Sequence, residues 1–215
     1  FREGSNSEGA VLQAAMLEAA KPYLLSVVGP NCLGVISTPS KLNASFAPSA
    51  PKPGTVAFVA QSGAIVAAVL DWATGRGVGF SHMVSLGDMS DVDFGDMLDF
   101  LATDTNTSAI LLYHEAVTAA RKFMSAARAA ARLKPVIAIK AGRQPAAARA
   151  ATSHTGALAG IDGVYDAAFE RAGVLRAFDL DELFDVVETL AMRQRIDGGR
   201  LAIITNGGGA GVLAT

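Results

Sequence analysis

One histidine of the chain stands in a setting that suits chemistry better than packing. The segment ATSHTGALAG, residues 151–160, puts His154 between two hydroxyl residues and before a run of small residues and glycines. An imidazole buries little apolar surface in so small and flexible a stretch. Because one ring nitrogen is unprotonated near neutral pH, imidazole is a competent nucleophile there. His154 is therefore the first candidate for a catalytic residue.

A candidate phosphate site follows the first apolar run that is typical of a buried strand. That run ends in AQSGAI, where Gln61, Ser62 and Gly63 open a helical pattern. The N-terminus of a helix offers N–H groups without helical partners and partial positive charge, which together suit a phosphate. A glycine after a strand also occurs in simple tight turns, so this motif needs support from other groups.

A carboxylate ends another apolar run. Glu115, in the motif YHE, follows a strand pattern. A carboxylate at the end of a buried strand needs a partner for its negative charge. Parallel strands present their carboxyl ends at one edge of a sheet, and ligands bind outside that edge. We therefore expect Ser62, Glu115 and His154 to converge there.

Four other charged or titratable residues have simpler interpretations. His82 and His114 lie within strand patterns among apolar neighbours, which is typical of core or edge histidines, so no role is assigned to them. Lys140 and Arg143 follow a strand pattern in the motif KAGR and are predicted to form a solvated rim.

Composition excludes several functional classes. The 215 residues are 51% hydrophobic and 18% charged, which allows a large core. The net charge of -2 does not indicate the basic surface that binds nucleic acid or an anionic membrane. Cys32 is the one cysteine, so there is no disulfide framework and no cysteine metal site, and we assign no metal ligands. No apolar run could span a bilayer, and no signal-peptide pattern opens the sequence. We expect a protein of the reducing cytoplasm.

Apolar runs and helical patterns alternate through the middle of the chain. This alternation implies βαβ crossovers and a parallel sheet. The predicted fold is α/β, a doubly wound, flavodoxin-like parallel sheet over residues 52–197. Residues 1–51 are predicted to be the end of a preceding domain plus a linker, NASFAPSAPKPG.

Residues 198–215 are predicted to begin a further α/β domain. RLAIIT is a strand pattern, and the motif NGGGAG after it is a candidate anion cradle of backbone N–H groups. The glycines of this cradle are Gly207, Gly208 and Gly209.

The motifs GPNCLG, VAQSGAI, SLGD, YHE, KAGR and SHTGALAG, in this order, resemble the nucleoside-diphosphate-forming acyl-CoA synthetases, which include the ADP-forming acetate–CoA ligases. This family is related to the α subunit of succinyl-CoA synthetase, and the resemblance covers nearly the whole chain. It implies that residues 1–51 end a CoA-binding Rossmann domain. It also implies that residues 52–197 form the flavodoxin-like domain in which a histidine is phosphorylated.

The resemblance also implies roles for individual residues. His154 is the phosphorylated histidine, and Glu115 orients its imidazole. Gln61, Ser62 and Gly63 hold phosphate at the helix start, while the glycines of NGGGAG begin a second phosphate-facing helix. The residues near the substrate or CoA are Asn31, Cys32, Gly87 and Asp88.

The implied reaction interconverts acyl-CoA, ADP and phosphate with a carboxylic acid, CoA and ATP, through an acyl phosphate and a phosphohistidine. The implied ligands are CoA or acyl-CoA, phosphate, and ADP or ATP with Mg²⁺. The nucleotide and Mg²⁺ belong mainly to an ATP-grasp domain or subunit outside this chain. We therefore expect the chain to be inactive alone and to form part of an oligomer, with neither nucleic acid nor membrane as a partner.

Two alternatives remain at this point. A protein lysine acetyltransferase can carry a synthetase-like regulatory region, although there the histidine motif is expected to be eroded, whereas SHTGALAG is intact. An FMN-binding flavodoxin is disfavoured because no serine- and threonine-rich phosphate loop follows the first strand pattern.

Overall fold

The computed structural model describes residues 7–143, 161–191, 199–200 and 202–214. The strands in these residues are β1 (Gly34–Ser37), β2 (Leu42–Ser45), β3 (Lys52–Ala60), β4 (Gly79–Ser85), β5 (Ala109–His114), β6 (Val136–Lys140) and β7 (Leu175–Ala177). The α-helices are α1 (Ser7–Ala20), α2 (Gly63–Arg76), α3 (Phe94–Thr103), α4 (Ala120–Ala131), α5 (Asp162–Ala172), α6 (Leu180–Ala191) and α7 (Gly208–Leu213), and a 3₁₀ turn covers Lys21–Tyr23.

The strands form one sheet in the order β2-β1-β4-β3-β5-β6-β7. All pairings among β3 to β7 are parallel, and β3 lies between β4 and β5. Parallel neighbours require crossover connections, which the intervening helices supply. The predicted α/β fold with a doubly wound parallel sheet is confirmed.

Helices cover both faces of this sheet. On one face Leu98 of α3, Ala127 of α4 and Phe169 of α5 pack against the strands, and on the other face Leu70 of α2 and Leu183 of α6 do so. Each large apolar side chain buried in this way contributes about 2 kcal/mol relative to exposure. The two cores hold the strands rigidly, so the residues that follow them are well positioned.

The β1–β2 hairpin differs from expectation. Strand β1 pairs antiparallel with β2 and also with β4, so part of the 1–51 segment extends the sheet. The stretch predicted as a linker contributes Asn43–Ser45 to β2 and Lys52–Gly54 to β3. The domain limits 1–51, 52–197 and 198–215 stay predictions, although β3 does begin at Lys52.

The C-terminal stretch also differs in part. Residues 202–205 are described without any strand pairing, whereas the sequence pattern predicts a strand there. A helix does form at this motif, because α7 begins within it at Gly208, with Gly207 immediately before the helix.

Candidate functional site

The N-terminus of α2 has the features of an anion site. Ser62 precedes the helix in an extended conformation, and its side chain makes no capping hydrogen bond. The first N–H groups of this 14-residue helix therefore keep their capacity to bind an external acceptor. A Cβ on Gly63 would lie 3.2 Å from the Leu33 backbone nitrogen, so glycine lets the helix start pack closely against the segment after GPNC.

Gln61 connects this helix start to the end of β5. Its side-chain oxygen accepts hydrogen bonds from the backbone N–H groups of Glu115 (3.0 Å) and Ala116 (3.1 Å). The Gln61 N–H donates to the Tyr113 carbonyl at 2.9 Å, and its carbonyl accepts from Gly87 at 3.1 Å. The residue is only 8% exposed. Its predicted role in phosphate binding stays a prediction, and its side-chain oxygen has a structural role that the sequence did not indicate.

Glu115 lies at the same edge of the sheet as Ser62. Strands β3 and β5 are parallel neighbours in which Ala60 pairs with Tyr113, so the residues after each strand emerge side by side. Glu115 is 9% exposed, which agrees with the expectation of a largely buried carboxylate. His154, the third member of the predicted site, lies outside the described residues.

The residues predicted near the substrate come together at the adjoining strand end. The Asp88 N–H donates to the Pro30 carbonyl at 3.0 Å, and the Asn31 side-chain amide donates to Asp88 Oδ1 at 3.3 Å. Gly87 has φ +56, and a Cβ there would lie 2.1 Å from the Pro30 carbonyl oxygen. Glycine is therefore required at this position for the two loops to approach each other.

Cys32 belongs to the same group, and its thiol is less acidic than that of a free cysteine. Burial raises the pKa of Cys32, the Asp88 charge raises it further, and a hydrogen bond with the Gly34 backbone opposes both effects. Two buried oxygens nearby, Ser85 Oγ and Asp88 Oδ2, have no hydrogen-bond partner within the described residues. Buried polar atoms without partners are uncommon, and a bound polar ligand would explain them.

The prediction of a solvated rim is wrong for Lys140. Its side chain is 1% exposed, and its Nζ donates to the Ala141 carbonyl at 2.5 Å. Arg143 does lie at the surface, where it donates to the Phe178 carbonyl at 3.2 Å. A continuous apolar run such as VIAI indicates a strand covered on both faces, which was the available signal that Lys140 is buried.

The other two histidines lie in the core, as expected. His114 is fully buried among Phe94, Phe123, Tyr165 and Phe169, and neither ring nitrogen has a hydrogen-bond partner within the described residues. Burial lowers the pKa of His114 to about 3, and the charges of Lys140 and Arg176 act in the same direction. The ring is therefore neutral.

The His82 side chain contacts residues that precede β5, so it faces the edge of the sheet opposite the candidate site. Its Nδ1 is 3.4 Å from Thr107 Oγ1 and 3.6 Å from Asp104 Oδ2. Burial lowers the pKa of His82, Asp104 opposes this effect, and Lys134 adds to it.

The remaining predicted groups are less informative. Gly208 and Gly209 begin α7 and are exposed, so their binding of phosphate stays a prediction. The described residues contain no group of three or more metal-binding side chains. None of the helices described has the length and apolar character that crossing a membrane would demand.

Comparison with known proteins identifies the family. Residues 53–190 match the family described as succinyl-CoA ligase like flavodoxin domain. The chain belongs to this family. The match begins at the second residue of β3 and ends within α6, so it covers the parallel part of the sheet.

Relatives in this family are named as ADP-forming ligases. The chain is 48% identical over 214 residues to acetate–CoA ligase [ADP-forming] I of Archaeoglobus fulgidus, covering 100% of the chain and 31% of that protein. It is 46% identical over 208 residues to the α subunit of acetate–CoA ligase [ADP-forming] I of Pyrococcus furiosus, covering 97% and 45%. The resemblance to ADP-forming acyl-CoA synthetases is therefore confirmed.

A solved structure agrees with this result. The dinucleotide forming acetyl-coenzyme A synthetase 1 of Ca. Korarchaeum cryptofilum, in complex with phosphate and ADP, superposes with a TM-score of 0.90 at 40% identity. The superposition covers 100% of this chain and 46% of that one. The predicted flavodoxin-like fold is confirmed, and the chain spans less than half the length of these three relatives.

Proposed function

We propose that this chain is the phosphohistidine-carrying part of an ADP-forming acyl-CoA synthetase. The observation that carries the proposal is the hydrogen-bonded connection from the start of α2 through Gln61 to Glu115. It holds a helix start whose free N–H groups suit an anion, together with a carboxylate, at one edge of the sheet. An imidazole that accepts and releases a phosphoryl group needs both.

Each group then has a defined task at His154. Glu115 accepts a hydrogen bond from one ring nitrogen, which selects the tautomer and stabilises the cation that forms on attack. The other nitrogen attacks the phosphorus of an acyl phosphate, so the P–N bond forms while the bond to the acyl oxygen breaks and a carboxylate leaves. The N–H groups at Ser62 and Gly63 stabilise the phosphoryl oxygens during this transfer.

The loops around Gly87 form the acyl-CoA side of the same site. Asn31, Cys32 and Asp88 line the approach to the thioester, where phosphate displaces CoA and gives the acyl phosphate. The Ser85 and Asp88 oxygens that lack partners in the described residues support a polar ligand here. Cys32, whose pKa is raised by burial, lines the site.

The remaining machinery belongs to the larger protein of which such a chain is part. CoA is held mainly by the preceding domain, and ADP or ATP with Mg²⁺ by an ATP-grasp domain or subunit, which receives the phosphoryl group from His154. NGGGAG begins the second phosphate-facing helix. The whole assembly is oligomeric and acts on a small carboxylic acid, and this chain does not turn over by itself. The relatives give no support to a lysine acetyltransferase, so that alternative is not proposed.

The test uses the full-length protein incubated with ATP labelled at the γ-phosphate and Mg²⁺. We expect acid-labile, alkali-stable label that disappears in His154→Ala and forms more slowly in Glu115→Gln. His82→Asn is the matched histidine control, since His82 lies away from the carboxyl edge, and it should keep the label. Undiminished label in His154→Ala would mean that the phosphoryl carrier lies elsewhere.

A further inference from the structure

Lys140 is a buried lysine at the end of the strand next to the one that Glu115 follows. Its Cα pairs with that of His114 across β5 and β6, so Lys140 stands one residue from Glu115 in register. The side chain lies on the α5 face of the sheet, where Nζ is 5.1 Å from the centre of the Tyr165 ring. A buried ammonium is costly unless carboxylates balance its charge.

The charges that face Lys140 come from three neighbouring elements. Burial lowers the pKa of Lys140, Asp162 of α5 opposes this, Arg176 of β7 adds to it, and Glu115 opposes it. His114 of β5 also faces the lysine and is neutral, since its pKa is about 3.

Asp162 cannot balance Lys140 by itself. Its Oδ1 pairs with Arg176 Nη2 at 2.5 Å, and its Oδ2 is 3.9 Å from Arg143 Nε. Arg176 also pairs with Asp166. Asp162 and Asp166 thus carry two negative charges against the three positive charges of Arg143, Arg176 and Lys140. Glu115 is the third carboxylate, which makes the charges of this described group equal.

Building on the proposed function, we propose that Lys140 is a positioning residue that keeps Glu115 ionised and oriented for His154. A cation near a carboxylate favours its charged form, and only the charged form fully stabilises the imidazolium formed on attack. The role is electrostatic, in addition to the hydrogen bond that Lys140 donates to Ala141.

A second lysine, just before the same strand, provides a matched control. Lys134, two residues before β6, donates to the carbonyls of Leu101 (2.6 Å) and Asp104 (2.5 Å). Like Lys140, Lys134 donates hydrogen bonds to backbone carbonyls, but it lies at the edge of the sheet where β6 begins. Lys134→Met should therefore leave the rate and pH dependence of histidine phosphorylation unchanged.

The experiment measures the rate of acid-labile labelling of the full-length protein by ATP and Mg²⁺ across acid and neutral pH. In Lys140→Met we expect labelling to slow about tenfold and the acid limb of the profile to move about one unit to higher pH. Lys140→Gln keeps an N–H donor but carries no charge, so it should behave like Lys140→Met. Lys140→Arg keeps the charge and should retain the wild-type profile.

A double-mutant cycle with Glu115→Gln separates this role from a structural one. If Lys140 acts through Glu115, Lys140→Met should slow labelling very little in the Glu115→Gln background. Additive losses, or a wild-type profile in Lys140→Gln, would overturn the inference while leaving the proposed function in place. Absence of label in the wild-type protein would instead overturn the proposed function and this inference together.

Discussion

The side-chain oxygen of Gln61 accepts a hydrogen bond from the backbone N–H of Glu115 at 3.0 Å, across 54 residues of sequence. A second bond, from Ala116, makes this a two-point attachment between the end of β3 and the end of β5. The glutamine therefore fixes the backbone from which the Glu115 carboxylate extends. Both proposals depend on that carboxylate being held in place.

Loss of the Gln61 acceptor should destabilise the domain. Gln61→Leu keeps a side chain of roughly similar size but leaves two buried N–H groups without their acceptor, and we expect the free energy of unfolding to fall by about 2 kcal/mol or more. Denaturant titration of the full-length protein measures this loss, and a loss well under about 1 kcal/mol would show that the two hydrogen bonds contribute little.

His114 should make stability depend on pH. The folded-state pKa of His114, about 3, lies below the unfolded value near 6.5. The contribution of the neutral ring to stability is therefore complete above pH about 6.5. As pH falls from about 6.5 toward 3, His114 binds a proton in the unfolded state but not in the folded state. The free energy of unfolding therefore declines by up to about 1.4 kcal/mol per pH unit.

The measurement is denaturant unfolding at a series of pH values in the wild type and in His114→Leu. Leucine fits the surrounding apolar cluster and does not titrate, so the variant should show a shallower decline below neutrality and at least wild-type stability at pH 7. An unchanged slope in His114→Leu would assign the acid sensitivity to other groups.

Gly87 should tolerate no side chain. Gly87→Ala would strain a residue at φ +56 and drive a Cβ to within 2.1 Å of the Pro30 carbonyl oxygen. We expect a loss of at least about 2 kcal/mol, since the two loops must separate. Under the proposed function, CoA binding by the full-length protein should weaken at the same time.

The matched control is another glycine changed in the same way. Gly75 lies inside α2, and a Cβ there meets nothing within 4 Å. Gly75→Ala should stabilise the protein by about 0.5 kcal/mol because alanine favours the helix. Similar unfolding midpoints for the two variants would contradict the close approach of the loops at Gly87.

Much of the fold could be predicted from local patterns. Alternating apolar runs and helical periods predict the parallel strands from β3 to β7, because a strand buried on both faces must be apolar throughout. The helix start at Ser62 and the carboxylate Glu115 could be placed after their strands for the same reason. Motif order along the chain was sufficient to indicate the family.

Contacts between segments distant in sequence were decided by the tertiary structure alone. The antiparallel β1–β2 hairpin on β4, the attachment of Gln61 to Glu115, and the burial of Lys140 each depend on which strands become neighbours. Strand order is set by the packing of helices on both faces of the sheet, and no local period encodes it. The sequence by itself determined that Ser62 and Glu115 follow their strands at the carboxyl edge, and only the packed sheet decided which groups there touch.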